Sequence, residues 1–273
     1  MSDRERDSLG NRMKQYEDCY RLTLPSRMPI ILRLDGRSFH SYTSKCQRPV
    51  DSGLVSCMNE TAIALCQEIQ GAKLAYVQSD EISVLITNYD TLDTQSWFDN
   101  NLQKMVSISA ATASTTFTMN SWRIWSNPYA PVEIESIRPA MFDSRAFIIP
   151  KEDACNYFLW RQQDATRNSV NMLARSLYSH QECKDKNNSQ LQGMIFHKRI
   201  NWNDCPTSQK RGRCIVKEQY QHVGINPTTG EEIVSTRSHW VVDNEIPIFS
   251  QDRQYIEKYV YPELPDAQAK GAQ

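Results

Sequence analysis

The 273-residue chain is short of glycine. Glycine occurs 9 times and proline 12 times, which excludes collagen-like and low-complexity classes. No apolar run approaches the roughly 18 residues that a membrane span needs. The first residues, MSDRERD, carry no apolar stretch, so no signal peptide is expected there. An excess of one charge is also missing: 31 Lys and Arg stand against 32 Asp and Glu, for a net charge of −1. That excludes a histone-like, globally basic nucleic-acid binder but leaves room for a local basic face. The 8 cysteines include no C-x-x-C pair and read as free, mostly buried thiols of a reducing cytosol. A zinc site from Cys205, Cys214 and His197 matches no familiar ligand spacing. No internal repeat or low-complexity linker interrupts the chain. Its length suits one large domain or two intimate ones, with a core that needs no staples.

What is present is a run of alternating elements. Residues 1–18 are polar and form a first helix or fray. Residues 29–34 (PIILRL) read as a buried strand running into the turn signal Asp35-Gly36-Arg37. A helix follows, capped by Asp51 or Ser52, with Leu54, Val55, Met58, Ala62, Leu65, Cys66 and Ile69 at helical spacing and Gly71 beyond its end. Residues 74–77 and 82–86 form a hairpin around Gln78-Ser79-Asp80-Glu81. Residues 97–118 are expected to be a second helix, rich in small residues from Ser107 to Thr116, and 145–149 a strand closed by Pro150. The fold class is therefore α+β: a βαββαβ, ferredoxin-like antiparallel sheet with its two helices on one face. Residues 1–150 are read as this catalytic region and 151–273 as an extension packed on it. The extension should hold a helix over 152–178, a polar irregular stretch over 181–212, a hairpin turned at 226–230 and a short helix over 251–259. The last residues, AQAKGAQ, read as disordered.

In this topology Asp35, at a strand end, and Asp80, at a hairpin tip, come close together. Two neighbouring carboxylates repel at neutral pH unless something compensates, and a pair of Mg²⁺ ions does so. Two such metals can hold the attacking and leaving oxygens of a phosphoryl displacement. Gly36 would let the backbone approach a ligand. The competing reading is two ordinary acidic turns.

The residues around the pair bear on that choice. The segments Arg33-Leu34-Asp35-Gly36-Arg37-Ser38-Phe39-His40, Arg48-Pro49-Val50-Asp51 and Tyr76-Val77-Gln78-Ser79-Asp80-Glu81 resemble blocks of the tRNA-His guanylyltransferase family. So do Phe142-Asp143-Ser144-Arg145, Trp160-Arg161-Gln162-Gln163-Asp164 and Leu191-Gln192-Gly193, in family order. The resemblance implies a polymerase-like palm that extends a tRNA at its 5′ end. ATP adenylylates a 5′-monophosphate, the 3′-hydroxyl of an incoming NTP attacks the activated phosphate, and AMP leaves. It implies Asp35, Asp80 and the Gly36 carbonyl as ligands of two Mg²⁺ ions, with Glu81 in a supporting role. Nucleotide contacts fall to the backbone of Arg37, Ser38, Phe39 and His40, and to Arg48, Asp51, Ser79 and Lys104. ATP and GTP or another NTP are the implied substrates, tRNA the partner, and a homotetramer in the cytoplasm the implied assembly, with no membrane attachment.

Two departures from the family pattern stand out. Eukaryotic guanylyltransferases carry a His-Ile-Asn-Asn-Leu-Tyr-Asn block where this chain has Thr166-Arg167-Asn168-Ser169-Val170-Asn171-Met172. They are also basic where it has Asp99-Asn100-Asn101. The first departure favours the like-protein branch, which adds nucleotides templated by Watson–Crick pairing and repairs 5′-truncated tRNA. Addition of G at position −1 of tRNA-His is the nearer alternative, a nucleotide cyclase-like palm enzyme a more distant one, and an RNA-binding protein that lost its activity a third. For tRNA, the resemblance implies Arg145, and the sequence itself offers the window 198–217, where Lys198, Arg199, Lys210, Arg211, Arg213 and Lys217 stand against the single acid Asp204. Trp202 lies within that window, suited to stacking.

Overall fold

The computed structural model describes residues 8–125, 138–225, 230 and 232–261. After a polar helix α1 (Ser8–Asp18) with no buried residue, strand β1 (Ile30–Gly36) leads into the one-turn helix α2 (Phe39–Tyr42) and then α3 (Ser52–Glu68). The hairpin β2 (Ala72–Gln78) and β3 (Glu81–Ile86), helix α4 (Leu102–Trp125) and β4 (Phe142–Ile148) complete the expected βαββαβ order. The sheet runs β4-β1-β3-β2 and continues through β5 (Arg213–Ile225) and β6 (Glu232–Asp243), with antiparallel neighbours throughout.

Strand alternation sorts the core into two layers. Ile30, Leu32, Leu34, Ile82, Val84 and Ile215 point to α3 and α4, where they meet Met58, Leu65, Met105 and Phe117. Ile31, Leu74, Tyr76 and Leu85 point the other way, to α5 (Lys151–Leu177) and the last helix, where Phe158 and Ile256 lie. The expected pair of helices does share one face, and the C-terminal extension covers the other. The small residues of α4 carry hydroxyls that tie β4 down: Ser114 and Thr118 accept from the amides of Phe142 and Ala140, and Ser109 bonds Ser144 at 2.8 Å.

Three local expectations change. The second helix starts at Leu102 rather than Trp97, because Phe98, Asp99 and Asn100 take left-handed backbone angles. Asn100 is buried there and exchanges hydrogen bonds with Leu24. The stretch 181–212 is not irregular but holds α6 (His180–Cys183), α7 (Asn188–His197) and α8 (Thr207–Arg211). The first two begin with reciprocal caps, Ser179 with Glu182 and Asn187 with Gln190. The terminal helix α9 spans Gln254–Val260. Residues 226–229 of the β5–β6 turn and the AQAKGAQ tail lie outside the described residues.

Candidate active site

The site grows from two chain reversals at one end of the sheet. Asp35 is the penultimate residue of β1, in register with Glu81 on one side and Asp143 on the other. Asp80 shares a two-residue hairpin loop with Ser79, which adopts a left-handed φ of 47°. The two turns are joined directly: the Gly36 amide donates to the Asp80 carbonyl at 3.1 Å. A side chain at Gly36 has no room, since a Cβ there would lie 2.4 Å from the Phe39 ring. That ring is locked among Tyr42, Phe117 and Phe142 at centroid distances of 5.0–5.3 Å. The Phe39 ring is thus anchored in the core. Ser38, left-handed at φ 55°, and the next two residues present amides that donate to no acceptor among the described residues. Successive free amides of this kind form a concavity for anions.

The acidic cluster carries an electrostatic cost. Burial pushes the Asp35 carboxyl above its ordinary value, and Asp80, Glu81 and Asp143 push it further, with only Arg33 opposing. Asp80 is also raised, first by burial and then by Glu81, against hydrogen bonds that favour its charged form. Glu81 stands apart because its carboxylate is saturated. Its Oε1 accepts from Arg161 Nε at 2.7 Å, and its Oε2 from Arg161 Nη2 at 2.7 Å and from Arg33 Nη2 and Nε at 2.7 and 3.0 Å. Trp160 stacks over both guanidinium groups, 4.4 Å from Arg161 and 5.9 Å from Arg33. Glu81 is therefore an ion-pair anchor beside the pair Asp35 and Asp80. The sequence reading gave no role to Arg33, Arg161 or Trp160. The period-two spacing of Arg33 and Asp35 on one strand was the available signal.

Among the described residues, no group of three or more His, Cys, Asp or Glu forms a metal cage, which also disposes of the zinc trio. What the chain offers a divalent cation is two strained carboxylates beside a backbone turn. That donor set suits Mg²⁺, which keeps several waters and shares phosphate oxygens rather than filling an all-protein cage.

Beside this corner opens a cavity of about 520 Å³, lined by Phe39, His40, Arg48, Asp51, Ser79, Asp80 and Arg213 among others. A nucleotide-sized cavity next to paired carboxylates and free amides fits the comparison with known proteins. A family model described as tRNA-His guanylyltransferase matches residues 10–150. The chain belongs to the tRNA-His guanylyltransferase family. It is accordingly a nucleotidyltransferase. Two solved structures of a bacterial tRNA(His) guanylyltransferase (Thg1)-like protein, one in complex with ATP and one with GTP, are 46% and 45% identical to it. Their TM-scores are 0.81 and 0.76; they cover 94% and 93% of this chain, and 100% of each of those chains is matched. A probable tRNA(His) guanylyltransferase of Dictyostelium discoideum is 27% identical over 218 residues, 74% of this chain and 79% of that protein.

Within this family member, the residues named from sequence divide. His40, Arg48, Asp51 and Ser79 line the cavity together with Asp80. Asp51 is also the cap of α3: burial raises its carboxyl, but the amides of Gln47, Leu54 and Gly53 outweigh that and hold it below its ordinary value. Lys104 does not join them and lines a separate hollow with Arg21, Thr23, Phe98, Asp99 and Asn101. Arg145 is exposed, opposite Arg33 in the β1–β4 register, and pairs with Asp143 at 3.2 Å. Lys198 and Arg199 are exposed, and Lys210 and Arg211 partly so. Arg213 is not part of that exposed window: it is only 4% exposed and faces the cavity. Trp202 is packed in a satellite core, its Nε1 donating to Ser169 Oγ at 3.1 Å, with Lys210 over its ring. No helix among the described residues is long and apolar enough to cross a membrane.

Proposed function

We propose that the protein extends the 5′ end of tRNA in the 3′-to-5′ direction, choosing each nucleotide by Watson–Crick pairing with the opposite strand and so repairing 5′-truncated tRNA. The observation that carries the reading is the carboxylate pair of Asp80, which lines a nucleotide-sized cavity, and Asp35, whose charge is coupled to it. The bacterial like-protein solved with ATP and with GTP supports both nucleotides as substrates. The missing His-Ile-Asn-Asn-Leu-Tyr-Asn block favours templated repair over −1 G addition.

Two Mg²⁺ ions would be held by Asp35, Asp80 and the Gly36 carbonyl; when bound they supply charge neutralisation of the triphosphate and a more acidic attacking hydroxyl. The chain's own groups do the rest. The amides of Ser38, Phe39 and His40 receive phosphate oxygens, and Phe39 in the core fixes where they point. Ser79 and Arg48 contact the nucleotide from the cavity walls. Glu81, held by Arg33 and Arg161, keeps the two strands in register beneath the acidic pair. In a homotetramer, tRNA would lie across subunits, with its phosphates on Arg145 and the window of Lys198, Arg199, Lys210 and Arg211.

Activation is tested by incubating the protein with [α-³²P]ATP, Mg²⁺ and 5′-monophosphorylated truncated tRNA. Label should appear on the RNA as a 5′-AMP cap; its absence with tRNA bound would remove the adenylylation step. The basic window gives a separate expectation. Replacing Lys198, Arg199 and Arg211 by Ala should weaken tRNA binding about tenfold or more and lower the slope of log Kd against log salt by roughly two to three, because each phosphate contact contributes nearly one unit. Filter binding across a salt series measures this, and an unchanged slope would put the tRNA elsewhere.

A further inference from the structure

Helix α5 leaves one large aromatic side chain uncovered beside the acidic pair. Strand alternation puts Arg33 and Asp35 on the face of β1 that Ile31 turns toward α5. Their cross-strand neighbours share that face: Ser83 and Arg145 beside Arg33, Glu81 and Asp143 beside Asp35. The helix is pinned to the first of these rows by Tyr157, whose hydroxyl meets Ser83 Oγ at 2.8 Å. Toward β4 the same face is open, with the side chains of Asp143 and Arg145 52% and 59% exposed. Trp160, one turn beyond Tyr157 on α5, is 47% exposed.

One side of the indole is already occupied. The guanidinium groups of Arg161 and Arg33 lie 4.4 and 5.9 Å from its centroid, and the Tyr157 ring meets it edge-on at 5.9 Å. Both guanidinium groups donate to the same Glu81 oxygen at 2.7 Å. Groups held that close together cannot sit squarely on opposite faces of an indole, so they crowd one side and leave the other to solvent. Because Glu81 locks both arginines, the ring is also held in one orientation. A fixed aromatic face is a platform for a nucleobase. Arg33, which touches the ring, lies two residues from Asp35 along β1, a rise of about 7 Å. A base on Trp160 is thus within a nucleotide's length of the acidic pair.

We propose that the open face of Trp160 stacks on the terminal base pair at the growing 5′ end of tRNA and holds that end over Asp35 and Asp80, with Arg145 on an adjoining phosphate. Every base has a π-face, so stacking positions the end without competing with the template for the choice of nucleotide. The surroundings favour RNA over a second copy of the chain. Arg145 gives the open face a cation for phosphate, and Trp160 is the one large apolar side chain exposed among these two rows and the α5 turn above them. A stable protein interface buries about 800 Å² on each partner, far more than one indole offers. The inference rests on the protein acting at tRNA 5′ ends, and it adds what holds that end in place.

The test is a double-mutant cycle of equilibrium binding to the full chain with Mg²⁺ and no nucleotide. One ligand is a 5′-monophosphorylated truncated tRNA; the other is the same tRNA with its terminal pair replaced by two abasic ribose phosphates, so that every phosphate is kept. The unaltered protein should bind the abasic tRNA roughly tenfold or more weakly, the loss expected of one base–aromatic stack. Trp160→Leu should bind the intact tRNA weaker by a similar factor and the abasic tRNA within about threefold of the unaltered protein, which also shows that the variant folds. Trp160→Phe should bind the intact tRNA within about threefold of the unaltered protein, and all four terminal pairs should behave alike. Equal binding of the two tRNAs by the unaltered protein would overturn the proposal while leaving the proposed function standing. An abasic penalty undiminished in Trp160→Leu would also overturn it, as the mark of a base contact elsewhere. So would dissociation of an oligomer by Trp160→Leu in analytical ultracentrifugation, which would make the ring a contact between copies. If the unaltered protein binds neither tRNA, the proposed function falls and the inference with it.

Discussion

Asp80→Asn should abolish nucleotide transfer, by about a thousandfold or more, and at the same time raise the thermal stability of the metal-free protein. The two effects have one cause. Asp35 and Asp80 both hold their protons more tightly in the fold than in the unfolded chain, chiefly because they are buried and face other carboxylates. Below the ordinary value of 3.8 both states are protonated and the pair costs nothing. As pH rises above it, the unfolded chain loses its protons first, so stability falls until pH passes the raised native values and then levels off. At neutral pH the native state therefore carries two carboxylates at a cost, and Asn at position 80 relieves it. Transfer should be lost because Asp80, on the proposed reading, would hold a metal ion, and losing such a carboxylate removes several kcal/mol of transition-state stabilisation, about three decades in rate. Thermal melts with and without Mg²⁺, beside a transfer assay, measure both. Mg²⁺ should raise the melting temperature of the unaltered protein and raise that of Asp80→Asn much less. A variant that loses stability, or keeps its activity within a few-fold, would mean that Asp80 is not held against its preference for a cation.

Glu81→Ala should act with the opposite sign on stability. Its carboxylate accepts from two arginines, and Arg161 is itself buried at 5% exposure. Removing one partner of a buried pair strands the other charge and typically costs about 3–5 kcal/mol. For a chain of this size that corresponds to a fall in melting temperature of roughly 10 °C. Removing Arg161 as well should restore part of the loss, since apolar residues replace a buried pair at little cost, while the remaining partner Arg33 is only half-buried. Glu81→Leu combined with Arg161→Met should thus melt closer to the unaltered protein than Glu81→Ala does. Differential scanning calorimetry checks this, and a Glu81→Ala protein with an unchanged transition would deny the anchor role. Adjacent carboxylates thus separate into one that strains the fold and one that holds it.

How much of this was legible beforehand depended on whether local pattern and tertiary environment agreed. Residues 29–34 and the hairpin around Ser79 and Asp80 were legible because apolar runs, turn residues and strand period all point one way. The start of α4 was not. Trp97, Phe98 and Leu102 keep helical spacing, yet Asn100 leaves the helix to bond Leu24, a partner 76 residues away that no local window contains. The caps at Ser179 and Asn187 were present in the sequence, but the polar composition around them obscured the short helices they start. Arg213 shows the limit of counting charges along a chain. It belongs to a basic window by sequence, whereas strand alternation with Ile215 turns it into the interior. Lys104 illustrates the converse, a cation whose helix carries it to a different hollow.

The most direct test of the central claim is a 5′-extension assay. The protein, Mg²⁺, ATP and all four NTPs are incubated with a tRNA lacking its first nucleotide, beside full-length tRNA-His. Four versions of the truncated tRNA differ in the acceptor-strand base opposite the gap. Templated reverse polymerisation predicts growth by the one nucleotide that pairs with each opposing base, and no addition to full-length tRNA-His. Addition of G to full-length tRNA-His whatever base stands opposite, with the truncated tRNAs left unextended, would contradict it and make the protein a −1 guanylyltransferase.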